Sequence, residues 1–234
     1  MQCLDWHITL SPSDLNDYVE CPHLTTLALE VARGERPPPH VADEEAEILR
    51  RKGEEHERAE LERLRAEGRG IVEIKLGEPW DFEAAARATA NAMRAGIDVI
   101  SQATFVDGRW RGRADFLLKV ERDTKLGRWG YEPLDAKLAR AEKPTYVLQL
   151  CFYSDGIAAI QGPPPEHMHV LLGIGERRAL RYDDFAAYYR RVRARFQAAI
   201  AAPTATEPYP VEHCALCTFR DVCAARWEAE DHLV

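Results

Sequence analysis

Apolar residues along this chain recur every three or four positions in some stretches and every second position in others, and the switches between the two periods lay out its elements. Ser11-Pro12-Ser13 ahead of Asp14, Leu15, Tyr18 and Val19 predicts a capped helix start. Cys21-Pro22 interrupts that helix, and a second runs from His23 to about Ala32 before Gly34 and Pro37-Pro38-Pro39 break the pattern. Residues 43–67 read as one long charged helix whose inward stripe is Leu49, Gly53, His56, Ala59 or Glu60, and Leu64. Residues 71–76 alternate as a strand, 81–95 form an alanine-rich helix closed by Gly96, and 99–106 form a strand. Asp107-Gly108 is a strong hairpin signal into the next strand.

Residues 123–128 read as a loop, 131–138 as a strand, and 144–160 as a helix with Tyr146, Gln149 and Tyr153 near one face. Two further strands, 167–174 and 179–182, precede an arginine-studded helix over 183–202. A proline-spaced linker and a cysteine-rich tail follow. This order favours a mixed α/β core with a helical cap. No glycine-rich phosphate loop follows a strand, so nucleotide-dependent classes lose weight.

With 234 residues and 46% hydrophobic content, the chain can bury one large core or two small ones. A net charge of -8 argues against a generic nucleic-acid coat. The charge is uneven, however: acids outnumber bases over 30–83, while 109–143 and 177–195 run basic. Arginine outnumbers lysine, which suits bidentate phosphate contacts, although genomic base composition produces the same skew. No stretch approaches the roughly 18 to 20 apolar residues of a membrane span, and no secretory signal is visible. The expectation is a cytoplasmic protein without membrane contact, in which cysteines serve metal or redox chemistry before disulfides.

The chemistry concentrates between Arg111 and Tyr153. Asp115 sits in the apolar run Ala114-Asp115-Phe116-Leu117-Leu118, where a carboxylate costs several kcal/mol unless it is paired or metal-bound. Asp135 and Lys137 are two apart on a strand, so both point to one face. Two acids and a lysine at the end of a sheet can hold a divalent cation and steady a developing anion. Taken singly, each motif also fits an exposed ion pair or a solvated edge.

Cys214-x-x-Cys217-x5-Cys223 needs a fourth ligand to close a tetrahedral site, and Cys21 supplies one. Four thiolates scattered in sequence suit an iron–sulfur cluster; structural zinc favours paired knuckles, and His213 or His23 could replace one thiolate. Cys151 reads as packing and Cys3 as spare.

Together these residues resemble the RecB-like PD-(D/E)XK nucleases that carry an iron–sulfur staple, a group that includes the CRISPR-associated adaptation exonucleases and the AddB nuclease domain. The matching elements come in the family's order: Cys21, His56, Gly112-x-x-Asp115, Asp135-x-Lys137, Gln149-x-x-x-Tyr153, then the three terminal cysteines. The resemblance implies an α/β restriction-endonuclease-like fold, a mixed sheet flanked by helices, over a single domain 1–234. Its nuclease core would be 43–202, and 1–42 with 203–234 would form a cap joined by a 4Fe–4S cluster on Cys21, Cys214, Cys217 and Cys223. It implies that His56, Asp115, Asp135 and the Ala136 carbonyl hold Mg²⁺ or Mn²⁺, that Lys137 orients the attacking water, and that Gln149 and Tyr153 position the scissile strand or Lys137. Asp135 stands where many members have Glu.

Arg111, Arg113, Arg140 and Lys143 bracket the acids and would contact the phosphates of a single strand; Trp110, Tyr131 and Phe152 could stack bases or pack the core. The expected activity is a metal-dependent DNA nuclease acting on single-stranded ends in repair, recombination or defence, with a helicase or other repair protein as a possible partner. The alternatives are a silent DNA-binding or assembly module that keeps the staple, and a zinc-stapled interaction domain.

Overall fold

The computed structural model describes residues 1–4, 7–39, 44–78 and 80–229. The chain divides into two compact units, one of residues 1–43 with 190–234, the other of 44–189.

In the first unit, strands β1 (Gln2–Leu4) and β2 (His7–Thr9) pair antiparallel, a hairpin that the hydrophobic pattern did not reveal. Helix α1 (Pro12–Glu20) begins as its sequence dictates: Ser11 and Asp14 form a reciprocal capping box, and the amino-terminal ammonium ion-pairs with Asp14. Helix α2 (Pro22–Ala32) follows directly, Cys21 ending one helix and opening the next. From the far end of the chain come a short 3₁₀ turn (Glu212–Ala215) and a helix (Arg220–Ala229). Leu24 and Leu27 pack on Phe219 and Cys223, with Cys21, Val31, Cys217 and Trp227 around them. His23 Nδ1 lies 2.8 Å from Thr206 Oγ1, and Trp227 Nε1 donates to the Pro208 carbonyl at 2.9 Å.

The second unit is built on a six-stranded mixed sheet in the order β3 (Ile71–Glu73), β4 (Val99–Asp107), β5 (Trp110–Thr124), β6 (Gly127–Lys137), β7 (His167–Leu172) and β8 (Arg177–Arg181). Pairs β3–β4 and β6–β7 are parallel and the others antiparallel. Helices α3 (Glu44–Ala66), α4 (Phe82–Arg94) and α5 (Pro144–Gln161) pack on it, and α6 (Tyr182–Ala201) runs across the unit boundary. The first-mentioned expectations for these elements are met within a few residues. Two are not. Residues 74–76 leave the sheet after three strand residues, and the loop expected at 123–128 shrinks to the two-residue turn Lys125-Leu126, because the β5–β6 hairpin continues to the pair Thr124–Gly127.

On α3 the residues from Glu47 to Lys52 are exposed, so Leu49 lies outside the inward stripe, and Ala59 is exposed as well. The covered positions are Gly53, His56, Glu57, Glu60, Leu61 and Leu64, of which Leu64 enters a core with Val99, Phe116, Leu118, Leu134 and Leu171 and Leu61 packs against it. Glu60 is buried and tolerated there because Arg63 Nη2 and Arg177 Nη2 each reach its Oε1 at 2.8 Å. Helix α5 comes close to the sheet at two glycines: a Cβ on Gly112 would lie 2.6 Å from Phe152, and one on Gly156 would lie 2.4 Å from Phe105. Among the described residues, no helix is long and apolar enough to cross a membrane.

Candidate active site

Strands β5 and β6 separate where the acids sit. Phe116–Leu134 is the last pair between them; beyond it β5 stays with β4, while β6 continues beside β7 through Lys137. Asp115 and Asp135 are the first residues past that fork, and Asp115 Oδ2 bridges it by accepting from the Ala136 N–H at 2.8 Å. The sequence cannot show such a fork, yet both strands it joins carry the predicted motifs.

Asp135 is 1% exposed, and neither of its oxygens receives a directed hydrogen bond. Lys137 Nζ stands 2.6 Å from its Oδ2, an ion pair with the period-2 geometry expected. Lys137 also donates to Gln149 Oε1 at 3.1 Å, and Gln149 Nε2 donates to the Tyr153 hydroxyl at 2.7 Å. The three form a chain from sheet to helix α5, and the Tyr146 ring lies 5.5 Å from Lys137 Nζ.

Electrostatically the pocket holds an excess of acid. Burial, then repulsion from Asp135 and Glu57, pushes the Asp115 carboxyl well above the usual carboxylate range, against the pull of Lys137 and the Ala136 N–H. Burial works against the charge on Lys137, but Asp135 and Asp115 outweigh it and raise its pKa. Tyr153 is pushed well above the ordinary phenol value by burial and then by Asp135, so its hydroxyl stays neutral.

Glu57 is a residue that sequence reasoning missed. Its pKa is raised by burial and, after the lowering effect of Gln102, by Asp135. Its spacing from Gly53, Glu60 and Leu64 was a signal: all four lie on the inward stripe. Gln102 was also missed. It donates to Glu57 from the middle of β4 and adopts φ 56°, the left-handed region that non-glycine residues avoid. It lies opposite Asp115, between the pairs Ser101–Phe116 and Ala103–Ala114. A polar residue interrupting an apolar strand was the available hint.

His56 lies one residue away on α3. Its Nε2 is 3.4 Å from the Leu171 carbonyl, and it lines a cavity of about 510 Å³ with Glu60, Arg63 and Arg177. Arg111 and Arg113 alternate with buried residues on β5, at the half-covered positions that also include Asp115. Arg140 and Lys143 are exposed between β6 and α5. Trp110, Tyr131 and Phe152 are all buried, and the Tyr131 hydroxyl donates to the Ile97 carbonyl at 2.6 Å, so these rings are core and cannot stack bases.

The profile of the PD-(D/E)XK nuclease superfamily matches residues 9–224. This chain belongs to that superfamily. Among curated proteins none matches it. Among solved structures it is similar to the crystal structure of SSO0001, at 13% identity and a TM-score of 0.43, with 95% of this chain and 88% of the other covered. Membership in a superfamily of metal-dependent nucleases makes nuclease chemistry and divalent cations the frame for the site.

Among the described residues, no three His, Cys, Asp or Glu side chains already stand in metal-holding geometry. The donor chemistry at the fork nevertheless fits a hard divalent cation. Asp115, Asp135 and Glu57 repel one another, and the Lys137 ammonium 2.6 Å from Asp135 Oδ2 sets a single positive charge against them.

Cys3, Cys21, Cys214, Cys217 and Cys223 belong to the first unit, whereas Cys151 is buried on α5 in the second, as packing. All six in the chain are free thiols. Cys21, Cys217 and Cys223 join one apolar cluster, and Cys214 Sγ accepts from the Val211 N–H at 3.4 Å. Cys223 is pushed up to about 11 by burial and then by Cys217, Cys21 and Cys214. By donor chemistry four thiols suit a thiolate-bound metal centre, but among the described residues no three of them stand in metal-holding geometry.

Proposed function

We propose that this superfamily member is a RecB-like deoxyribonuclease that hydrolyses phosphodiester bonds at single-stranded DNA ends. The observation that supports it best is the convergence of Asp115, Asp135 and Lys137 at the fork between β5 and β6, joined by Glu57. Mg²⁺ or Mn²⁺, held by Asp115, Asp135 and Glu57 or His56 with the Ala136 carbonyl, would supply Lewis acidity and lower the pKa of water. Lys137 keeps its proton and directs positive charge at the reacting phosphate, where negative charge grows. Gln149 fixes Lys137 from the side, and neutral Tyr153 fixes Gln149. Arg111, Arg113, Arg140 and Lys143 bind the backbone of the incoming strand.

The first unit serves as a cap, stapled by a 4Fe–4S cluster on Cys21, Cys214, Cys217 and Cys223, with the catalytic core in the remainder. The protein would act in the cytoplasm in DNA repair, recombination or defence, beside a helicase or similar repair protein.

The test is degradation of end-labelled single-stranded DNA with Mg²⁺ or Mn²⁺. Activity in the wild type that is lost in Asp115→Ala and in Lys137→Ala supports the reading. A wild type as inert as both variants, in either metal, rejects it in favour of a silent module. The staple has its own test: protein purified without oxygen carries iron and acid-labile sulfide, and Cys21→Ser lowers both along with the melting temperature. Zinc without iron would overturn that part alone.

A further inference from the structure

On the strand that leads to the proposed active site lies a notch whose residues, Arg111 apart, take no part in the chemistry above. It is a cavity of about 490 Å³ lined by Glu78, Trp80, Asp81, Phe82, Glu83 and Arg111. Trp80 is 66% exposed, a large apolar surface to leave in water. Its ring meets Phe82 edge-on, with centroids 6.5 Å apart. The Arg111 guanidinium lies 5.0 Å from the centre of the Phe82 ring, and its Nε is buried with no hydrogen-bond partner. Arg113, two residues on, also has a buried Nε without a partner. From Arg111 the strand runs to Asp115, a distance of about 13 Å at the ordinary rise per residue.

We propose that this notch takes one unpaired nucleobase of the strand being cut, an inference that rests on the nuclease reading. Trp80 provides a flat face for stacking, which any base satisfies and a paired base cannot reach. The charges say which part of the nucleotide enters. Glu78 and Glu83 are exposed carboxylates, and Asp81 is engaged with the Ala84 N–H at 2.8 Å. Three acids repel a phosphate, whereas they accept from the ring and exocyclic N–H groups of a base. The phosphates fall instead to Arg111 and Arg113, on the strand leading to Asp115. The notch thereby selects single strands, because a base in a duplex has its face and edge already used.

The experiment measures binding of a fluorescent oligo(dA) in EDTA, where no turnover occurs, beside an equally long oligomer of abasic residues. The wild type binds oligo(dA) more tightly. Trp80→Ala weakens oligo(dA) binding about tenfold and leaves the abasic strand unaffected, while Trp80→Phe keeps most of the preference. Arg111→Gln weakens both strands and reduces the salt slope by roughly 0.7, one phosphate contact. If wild type and Trp80→Ala bind oligo(dA) equally, the notch proposal fails while the nuclease reading stands. A wild type that binds and cuts no single strand removes both. A dimer that Trp80→Ala converts to monomer, with strand binding unchanged, would assign the notch to a second copy and overturn the proposal.

Discussion

The ammonium of Lys137 stands 2.6 Å from Asp135 Oδ2 and hydrogen-bonds to Gln149 Oε1 at 3.1 Å, so its position is set from two elements at once. Removing the charge with Lys137→Met is expected to lower kcat by about 10²- to 10³-fold, the usual loss for a preorganised electrostatic group. Gln149→Leu leaves the charge but frees the side chain, and a smaller loss in kcat is expected. Single-turnover cleavage checks both; equal losses would mean that Gln149 does more than hold Lys137.

Asp115 has its pKa raised in the folded protein, so folding disfavours its charge. The sign follows: with no metal bound, stability rises as pH falls through the folded value, and at neutral pH Asp115 costs stability. Asp115→Asn, which can still accept from the Ala136 N–H, is expected to stabilise the metal-free protein by about 1–2 kcal/mol while abolishing activity. Mn²⁺ should raise the melting temperature of the wild type and not of the variant. Calorimetry with and without metal decides it.

Gln102 holds a left-handed backbone in mid-strand in order to reach Glu57. Gln102→Gly relieves strain of about 1 kcal/mol and removes the hydrogen bond. The strain relieved is offset by the lost hydrogen bond and by the freedom of glycine in the unfolded chain, so the melting temperature is expected to hold or fall by a few degrees, while the Mn²⁺ concentration for half-maximal cleavage increases about tenfold. A variant that gains stability would show that the strain costs more than the amide contributes.

Glu132 behaves in the opposite sense to Asp115. Burial would raise its pKa, but His169 Nε2 at 2.7 Å and the His167 N–H at 3.0 Å reverse that, and the folded value is lowered. The stability it contributes is therefore present above the unfolded value of about 4.3 and is lost as pH falls through the folded one. Glu132→Gln should flatten the acid limb of a plot of melting temperature against pH.

Gly112 leaves no space for a side chain, since its Cβ would meet Phe152 at 2.6 Å. Gly112→Ala should destabilise by about 1–3 kcal/mol. Phe152→Leu in the same chain should recover part of that, as read by urea denaturation.

Much of this was legible in the residues. The capping box at Ser11 and the turn at Asp107-Gly108 act locally, and both stand as expected. Asp115 announced itself as a carboxylate in an apolar run, Asp135 and Lys137 by their spacing on a strand, and Gln149 and Tyr153 through the family resemblance; the structure brings the five together. Glu57 did not, because on a helix crowded with charges a functional carboxylate looks like its solvated neighbours. Gln102 depends on a backbone conformation that no side-chain pattern encodes. Trp110, Tyr131 and Phe152 show the reverse: composition offers aromatic rings, and only packing decides whether they face a ligand or the interior.

Leu24 and Leu27 find their partners in Phe219 and Cys223, almost a whole chain length later. During translation the sheet of the second unit has all its strands well before those partners leave the ribosome, whereas α2 must wait with its apolar side uncovered. A nonsense mutation between the end of α2 and Phe219 would therefore release a product with a sticky amino-terminal segment. Chaperones and proteases would recognise such a product, so the two ends of the chain must both be made before the first unit can persist in the cell.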